Sequence, residues 1–489
     1  MLKRTWLEKA AILLAAIMMA CASQVRPPEG SPPPQKPAQP AARVGQDSQL
    51  VIYLREAQAS SLPLAWEIRK ISLDKADGSQ FNIPGTGVTV KTSDLERGSL
   101  GGTGQMLLSI SGVPTGDYTG LTLVTRTVYY EDTGEAILTD ANFVAIRYGF
   151  SVIAGDAKTL LLVATLSRPG AARAAFRFQP TITVEDEPIT PRGKLVYVSN
   201  ESSSNISVIE KSTKRVVKNV YMGTKPGAMG ADQRRNRLYI ADRRAGAIYE
   251  MDMISQHLLK AAQIDLIDEP VHIEPVPPRD VLIVVNFGSD SIYLVDTFTF
   301  QVVDTIPVGD GPVDAVYSAS RDLAFVVNLF DGTLTVINLA VQPAVVDTTL
   351  QVELRPTGVT IDDSMGWLYV TNSGSSDLSI LKLETMAIER SVFIGNGAGD
   401  VTLDPYGRRL FVSMGETNEI LCVDPYTGVT IYSVRLPSKP GRLMFDPDEK
   451  KLYATVPGKN AVVVIDTITR EIQNWIETGE GPYSMAIRP

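Results

Sequence analysis

From residue 195 onward, short apolar runs alternate with polar turns, and the runs are copies of one another. "LVYVSNESSSNISVIE", "LYIADRRAGAIYEMD", "LIVVNFGSDSIYLVD", "AFVVNLFDGTLTVIN", "LYVTNSGSSDLSILK", "LFVSMGETNEILCVD" and "LYATVPGKNAVVVID" align without an internal gap. Their matching residues Tyr197, Tyr239, Ile283, Phe325, Tyr369, Phe411 and Tyr453 are spaced by 42, 44, 42, 44, 42 and 42. In each copy a turn residue (Asn200, Asp242, Asn286, Asn328, Asn372, Met414, Val456) lies ten before a position favouring acid (Glu210, Asp252, Asp296, Asn338, Lys382, Asp424, Asp466). A period of this length holding four short strands is the mark of a propeller blade.

A second marker stands thirteen residues ahead of each aromatic from the second copy onward, at Pro226, Pro270, Pro312, Pro356, Ala398 and Pro440. Pro482 continues that series, but the chain ends at 489, before an eighth copy can follow. The first copy has the opposite defect, since Tyr197 lacks an upstream marker. The two ends therefore complete one unit, and "PYSMAIRP" is expected as the innermost strand of the first blade, paired with strands from residues 194–221. Such pairing would hide an edge and join the ends of the array.

Residues 48–190 carry β-rich runs of a different kind: "QLVIYL", "LAWEIRKISL", "GQMLLSISG", "YTGLTLVTRTVYY", "KTLLLVATL" and "AFRFQPTITV". Gly, Pro and Asp break them, and no helical period intervenes, which predicts an antiparallel β-sandwich. The fold class expected is all-β: a sandwich, then a seven-bladed propeller over residues 191–489.

The first residues follow another logic. Lys3, Arg4 and Lys9 precede the eleven-residue apolar run "AAILLAAIMMA", a signal-peptide layout too short for a permanent span. It closes on "MMAC", which resembles the lipobox of bacterial lipoproteins. That resemblance implies cleavage after residue 20, lipid (palmitate among the acyl chains) on Cys21 and, from Ala22, sorting to the outer membrane. Seven prolines between Pro27 and Pro40 make residues 21–47 an extended tether.

The motif "LYVTN", with "G-x-x-P" ahead of it as in "VGDGPVDAVYSASRDLAFVVN", resembles the YVTN-type seven-bladed propellers of bacteria and archaea. The resemblance implies the propeller fold and an envelope location, and it is nearly silent on activity. Its relatives serve as surface-layer and periplasmic binding proteins, while kindred propellers include lactonases and a streptogramin lyase. "GVPTGDYTGLTL" resembles the P-x-G-x-Y corner of sandwich domains of unknown function in bacterial surface lipoproteins.

Composition narrows the chemistry. With 46 Lys+Arg against 55 Asp+Glu, the chain is acidic, which argues against general nucleic-acid binding. Two cysteines and two histidines are too few for a zinc, haem or redox centre, so no cofactor is expected. Propeller ligands sit at the mouth of the central channel, and the second residue after each marker belongs there: Ala228, His272, Asp314, Gly358, Asp400, Arg442 and Ser484. His272, Asp314, Asp400 and Arg442 are the candidate binding residues, with Asp400 expected to face water. They suit an anion, a hard cation or acid–base work, against the plainer reading that they line a wet channel. His257 reads as surface, Cys422 as a half-buried free thiol, and the turns "DPYTG", "DTFTF" and "DDS" as backbone-capping aspartates. The functional expectation is a lipid-anchored envelope protein acting as a non-enzymatic scaffold. Its partners would be the membrane through its lipid and an envelope protein or a small-molecule or glycan ligand. The alternative is a lactonase- or lyase-like enzyme working at the channel mouth.

Overall fold

A computed structural model describes residues 48–57, 63–97, 104–139, 142–165, 177–178, 180–185, 193–264 and 268–488. Cys21 and the expected signal and tether lie outside the described residues. No described helix is long and apolar enough to cross a membrane.

Among the described residues the repeats form seven four-stranded antiparallel sheets, six of them meanders of consecutive strands and the first completed by a strand from the end of the repeat array. In the fourth blade the strands are Pro312–Ser318, Leu323–Asn328, Thr333–Asn338 and Val345–Gln351, from the innermost outward. The proline opens its strand where a missing N–H costs no ladder bond. The second strand is buried almost throughout in every blade because neighbouring blades cover both of its faces, which is why "LYVTN" carries so little polarity. Apolar clusters fill the gap between each blade and the next. The outermost strands are wet, and Ala387–Phe393 of the fifth blade is exposed at six of its seven positions.

The turn chemistry is as read from sequence. Asp252, Asp296, Asp424 and Asp466 each use Oδ1 to accept the backbone N–H groups two and three residues on. The asparagines of the second strand turn inward instead. Asn200, Asn328 and Asn372 each donate Nδ2 to a hydroxyl seven residues later, on the third strand.

The first blade has the order Arg215–Tyr221, Asn205–Glu210, Leu195–Asn200, Pro482–Arg488. Pro482–Arg488 runs antiparallel to Leu195–Asn200, with Leu195 opposite Arg488 and Asn200 opposite Pro482. On its other side it neighbours the innermost strands of the second blade (Pro226–Asp232) and the seventh (Leu443–Asp446). Lys211 of the first blade forms an ion pair with Asp446 of the seventh, both side chains being only 1% exposed. Lys194–Asp448 and Lys214–Glu449 pair across the same gap.

The sandwich is not purely antiparallel. Its first strand, Ser48–Glu56, lies antiparallel to Gln105–Val113 but parallel to Ala157–Thr165, which completes a four-stranded sheet with Thr181–Glu185. The strand Ala157–Thr165 returns from the other sheet and so arrives in the direction of the first strand. Phe143–Val152 and Ala136–Thr139 are strands the sequence reading passed over, and Thr92–Arg97 is a one-turn helix. Tyr118 donates its hydroxyl to the Pro114 carbonyl at 2.7 Å, so the "GVPTGDY" segment does form a tyrosine corner.

The first strand is buried on both faces. Leu50, Ile52 and Leu54 enter the sandwich core, whereas Val51 and Tyr53 join Val196, Val198, Tyr453, Val462 and Met485 between the first and seventh blades. Polar bonds flank that contact. Gln49 donates to the Ser203 carbonyl and accepts from Asn205, Gln105 exchanges two bonds with the Val216 backbone, and Glu477 accepts from Leu107 N–H. The sandwich therefore lies over the one gap whose blades come from opposite ends of the repeat array. Tyr53→Ala should cost about 3–5 kcal/mol, the usual loss for a buried aromatic. Urea unfolding checks it, and a midpoint like the parent's would mean the sheet is a passive neighbour.

Candidate functional site

Six of the seven innermost strands described carry a register irregularity just after their opening residue, as between Pro270 and His272, Pro312 and Asp314, or Pro356 and Gly358, whereas that of the seventh blade starts at Leu443 without one. Such a bulge frees one residue from the ladder and re-aims its side chain. The freed backbone is picked up by the third position of the "YVTN" motif. Ser199, Ser413 and Thr455 accept the N–H of Ser484, Asp400 and Arg442 at 3.0, 2.8 and 3.0 Å.

His272, Asp314, Asp400 and Arg442 line one cavity of about 180 Å³, together with Ala228, Tyr483 and Ser484. His272 Nδ1 lies 2.8 Å from Asp314 Oδ1, and Arg442 Nη1 lies 3.1 Å from the same oxygen. Arg442 Nη1 also donates to Asp400 Oδ1 at 2.9 Å. The remaining carboxylate oxygens face the following blade: Asp314 Oδ2 accepts from Val359 N at 3.1 Å and Asp400 Oδ2 from Leu443 N at 2.6 Å. Ser484 Oγ makes the same reach to Met229 N at 3.2 Å. These ring side chains are ties between blades.

Asp400 does not face water as expected. Its side chain is 11% exposed and that of Asp314 only 5%. The inter-blade gap closes over them because each reaches a backbone donor there. Burial alone would raise Asp314, but Arg442, His272 and the Val359 N–H hold it down to about 2. Asp400 is raised, because burial and the Asp314 charge outweigh Arg442. Burial works against the Arg442 cation, yet the two aspartates hold its proton more tightly than usual. Asp466, at an outer turn, is likewise engaged, by Lys451, Gln473 and two backbone N–H groups.

Glu274 was missed. It follows His272 by two residues on one strand, so alternation sends both side chains to the same face. Its Oε2 stands 3.9 Å from His272 Nε2. Although protein surrounds it, its side chain is 36% exposed, as expected of a group on a hollow wall. Burial pushes it up to about 7, with Asp314 adding and His272 opposing. A carboxyl so raised holds its proton more tightly folded than unfolded. Its contribution is thus whole below the ordinary glutamate range and is lost as pH rises through 7. Glu274→Gln should therefore melt higher than the parent at pH 8 and alike near pH 4. A variant that melts lower at pH 8 would show the carboxylate to be favourable where it stands.

His257 is exposed, as expected. Cys422 is fully buried rather than half-buried, because blades cover both faces of its strand, and burial raises its thiol. Among the described residues, no three His, Cys, Asp or Glu side chains are placed to share one metal ion.

No protein-family model matches the chain. A stretch of 135 residues is 25% identical to the uncharacterized protein YncE of Salmonella typhimurium, covering 27% of this chain and 38% of that protein. The chain thus spans under two fifths of the length of the curated relative it matches. Among solved structures, a protein of unknown function from Desulfotomaculum acetoxidans superposes with a TM-score of 0.54 at 12% identity, over 60% of this chain and 99% of that one. A candidate 6-phosphogluconolactonase from Bacteroides uniformis gives 0.52 at 13% identity, over 60% and 100%. At these identities the likeness is one of fold.

Proposed function

We propose that this protein is a lipid-anchored component of the bacterial cell envelope, sorted to the outer membrane, whose propeller is a non-enzymatic binding scaffold. One observation supports the scaffold reading above others. The ionisable groups at the channel mouth are largely consumed by holding blades together: both aspartates answer Arg442 and a backbone N–H of the next blade. Groups recruited to turnover are instead aimed at an open point where a substrate's charge develops. The anchor rests on the "MMAC" segment and the prolines behind it.

A second reading is favoured by one side chain. Asp314 orients His272 as an orienting acid does for a general base, and His272 Nε2 is buried without a hydrogen-bond partner. With the fold likeness to a candidate lactonase, this supports lactone hydrolysis or a lyase reaction at the channel.

Capture of partners from envelope extracts, run beside a lactone-hydrolysis assay, separates the two. Specific capture without turnover is the expected result, and turnover lost in His272→Gln would overturn it. For the anchor, Cys21→Ala should abolish incorporation of labelled palmitate, and undiminished labelling would remove the lipid from the proposal.

A further inference from the structure

One hollow of the molecule is lined by charged side chains alone. Glu201 of the first blade, Lys225, Arg243 and Arg244 of the second and Glu269 of the third enclose about 640 Å³. The repeat does not require these cations. Each blade has three equivalent positions here: the residue before its marker and the two that follow its turn residue. The second blade places Lys225, Arg243 and Arg244 there, and no other blade places more than one basic residue. The third has Glu269, Phe287 and Gly288, and the seventh Lys439, Pro457 and Gly458. Lys225 and Arg244 are exposed, and among the described residues neither side chain has an ion-pair or hydrogen-bond partner. Arg243 commits one donor of its fork to Glu201, at 3.4 Å, and keeps the others. Its place is built. The guanidinium lies over the Tyr483 ring, 5.6 Å from the centroid, and the stem lies on Gly227, where a Cβ would come within 2.9 Å of Arg243 Cγ. Position 227 carries valine in the third and fourth blades, as Val271 and Val313. Tyr483 also lines the channel cavity, so the hollow lies beside the channel mouth.

We propose that this hollow binds the phosphate group of a small soluble molecule, held by Arg243, Arg244 and Lys225 together. The proposal rests on the binding reading above and gives it a site and a ligand class. Two guanidinium forks and an ammonium suit the three acceptor oxygens of a phosphate, and every such bond is charge-assisted. A cation would meet three like charges. A carboxylate would bring a single charge to a wall that offers several. Of the two acids present, Glu201 is already answered by Arg243, so the surplus is positive. In a chain of net charge −9 that surplus is local, and it draws an anion toward a surface that otherwise repels one. The volume admits a small molecule and excludes a folded partner, and a lipid would find no apolar wall for its chains.

Calorimetric titration of the full chain with inorganic phosphate at pH 8 tests it, beside sodium chloride at equal ionic strength. Phosphate should fill one saturable site with a Kd of about millimolar, as befits so small a ligand, and chloride none. Acetate should bind at least about tenfold more weakly. Lys225→Gln and Arg244→Gln each remove an exposed cation that has no partner, so both should keep the parent's melting curve. Each should weaken phosphate about tenfold, the loss of one charge-assisted contact. Arg355→Gln removes the basic residue at the matching position of the fifth blade and should leave binding unchanged. Sedimentation with phosphatidylglycerol vesicles should be alike in the parent and in Arg244→Gln. No saturable binding, equal affinity for acetate, or as large a loss in Arg355→Gln would overturn the proposal. Vesicle binding lost in Arg244→Gln would overturn it in favour of a lipid surface. A chain that captures envelope partners but ignores phosphate would lose this site and keep the scaffold. One that binds phosphate and captures nothing would keep the site and lose the scaffold.

Discussion

Deleting residues 482–489 should yield a chain that aggregates, or melts far below the parent. The segment is the innermost strand of the first blade and pairs with Leu195–Asn200 along its length. Met485 and Ala486 are buried on consecutive positions, which a strand manages only when both faces are covered. Losing Met485 alone removes about 1.5–3 kcal/mol of apolar burial. The bonds lost with it include Ser199 to Ser484, Ser484 to Met229 and Tyr483 to Val271, each worth about 0.5–1.5 kcal/mol net. Against a typical stability of about 5–15 kcal/mol that is a large share. The cut also bares the inner edge of Leu195–Asn200, a row of unpaired donors and acceptors open to association. Scanning calorimetry and light scattering decide the matter. A soluble chain with the parent's transition would show that the blade stands without its fourth strand.

What the sequence made legible here is whatever recurs seven times. The aromatic and proline markers predicted four-stranded units and the place of "PYSMAIRP", since a pattern shared by all copies rises above the variation within any one. The ring positions came from the same offset, which is why His272, Asp314, Asp400 and Arg442 share one cavity. Their pairing was not legible. Whether Arg442 meets both aspartates depends on the angle between blades, which no repeat spacing encodes. Burial of Asp400 followed from the Leu443 N–H, a backbone donor without sequence signature. Glu274 could have been found from the alternation that placed His272, carried one step further into the channel. The docking of the sandwich had a trace as well. "LVIYL" is apolar at every position, which is the pattern of a strand covered on two sides, whereas a sandwich strand with one wet face alternates.

Arg442 is where a single substitution should do most damage, and Arg442→Met isolates its charge with the length of the side chain nearly kept. The parent holds two buried carboxylates about one guanidinium, at 3.1 Å to Asp314 and 2.9 Å to Asp400. Without the cation, Asp314 and Asp400 face each other across a closed gap with only backbone N–H groups and His272 in compensation. Removing one partner of such a set costs about 3–5 kcal/mol, because the remaining charge has lost its counterpart and cannot regain water. The loss should depend on pH. Asp400 is already raised, and without Arg442 it rises further, so its neutral form becomes the better buried species. A group raised in the fold contributes stability that is present at low pH and lost as pH climbs, so the deficit of Arg442→Met should be largest at pH 7 and shrink toward pH 4. The cycle with Asp400→Asn separates charge from packing. If the guanidinium acts by neutralising Asp400, the double variant recovers a large part of the loss at pH 7, and the two substitutions are strongly non-additive. If Arg442 merely fills space, the losses add and the pH profile of Arg442→Met runs parallel to the parent's. Asp400→Lys should be worse than either, since it sets a second cation beside Arg442 in the same closed gap. Its failure to fold would therefore report on the blade ties and say nothing of ligand binding. A wild-type melting curve for Arg442→Met at pH 7 would remove the ion cluster from the account of what holds the ring together.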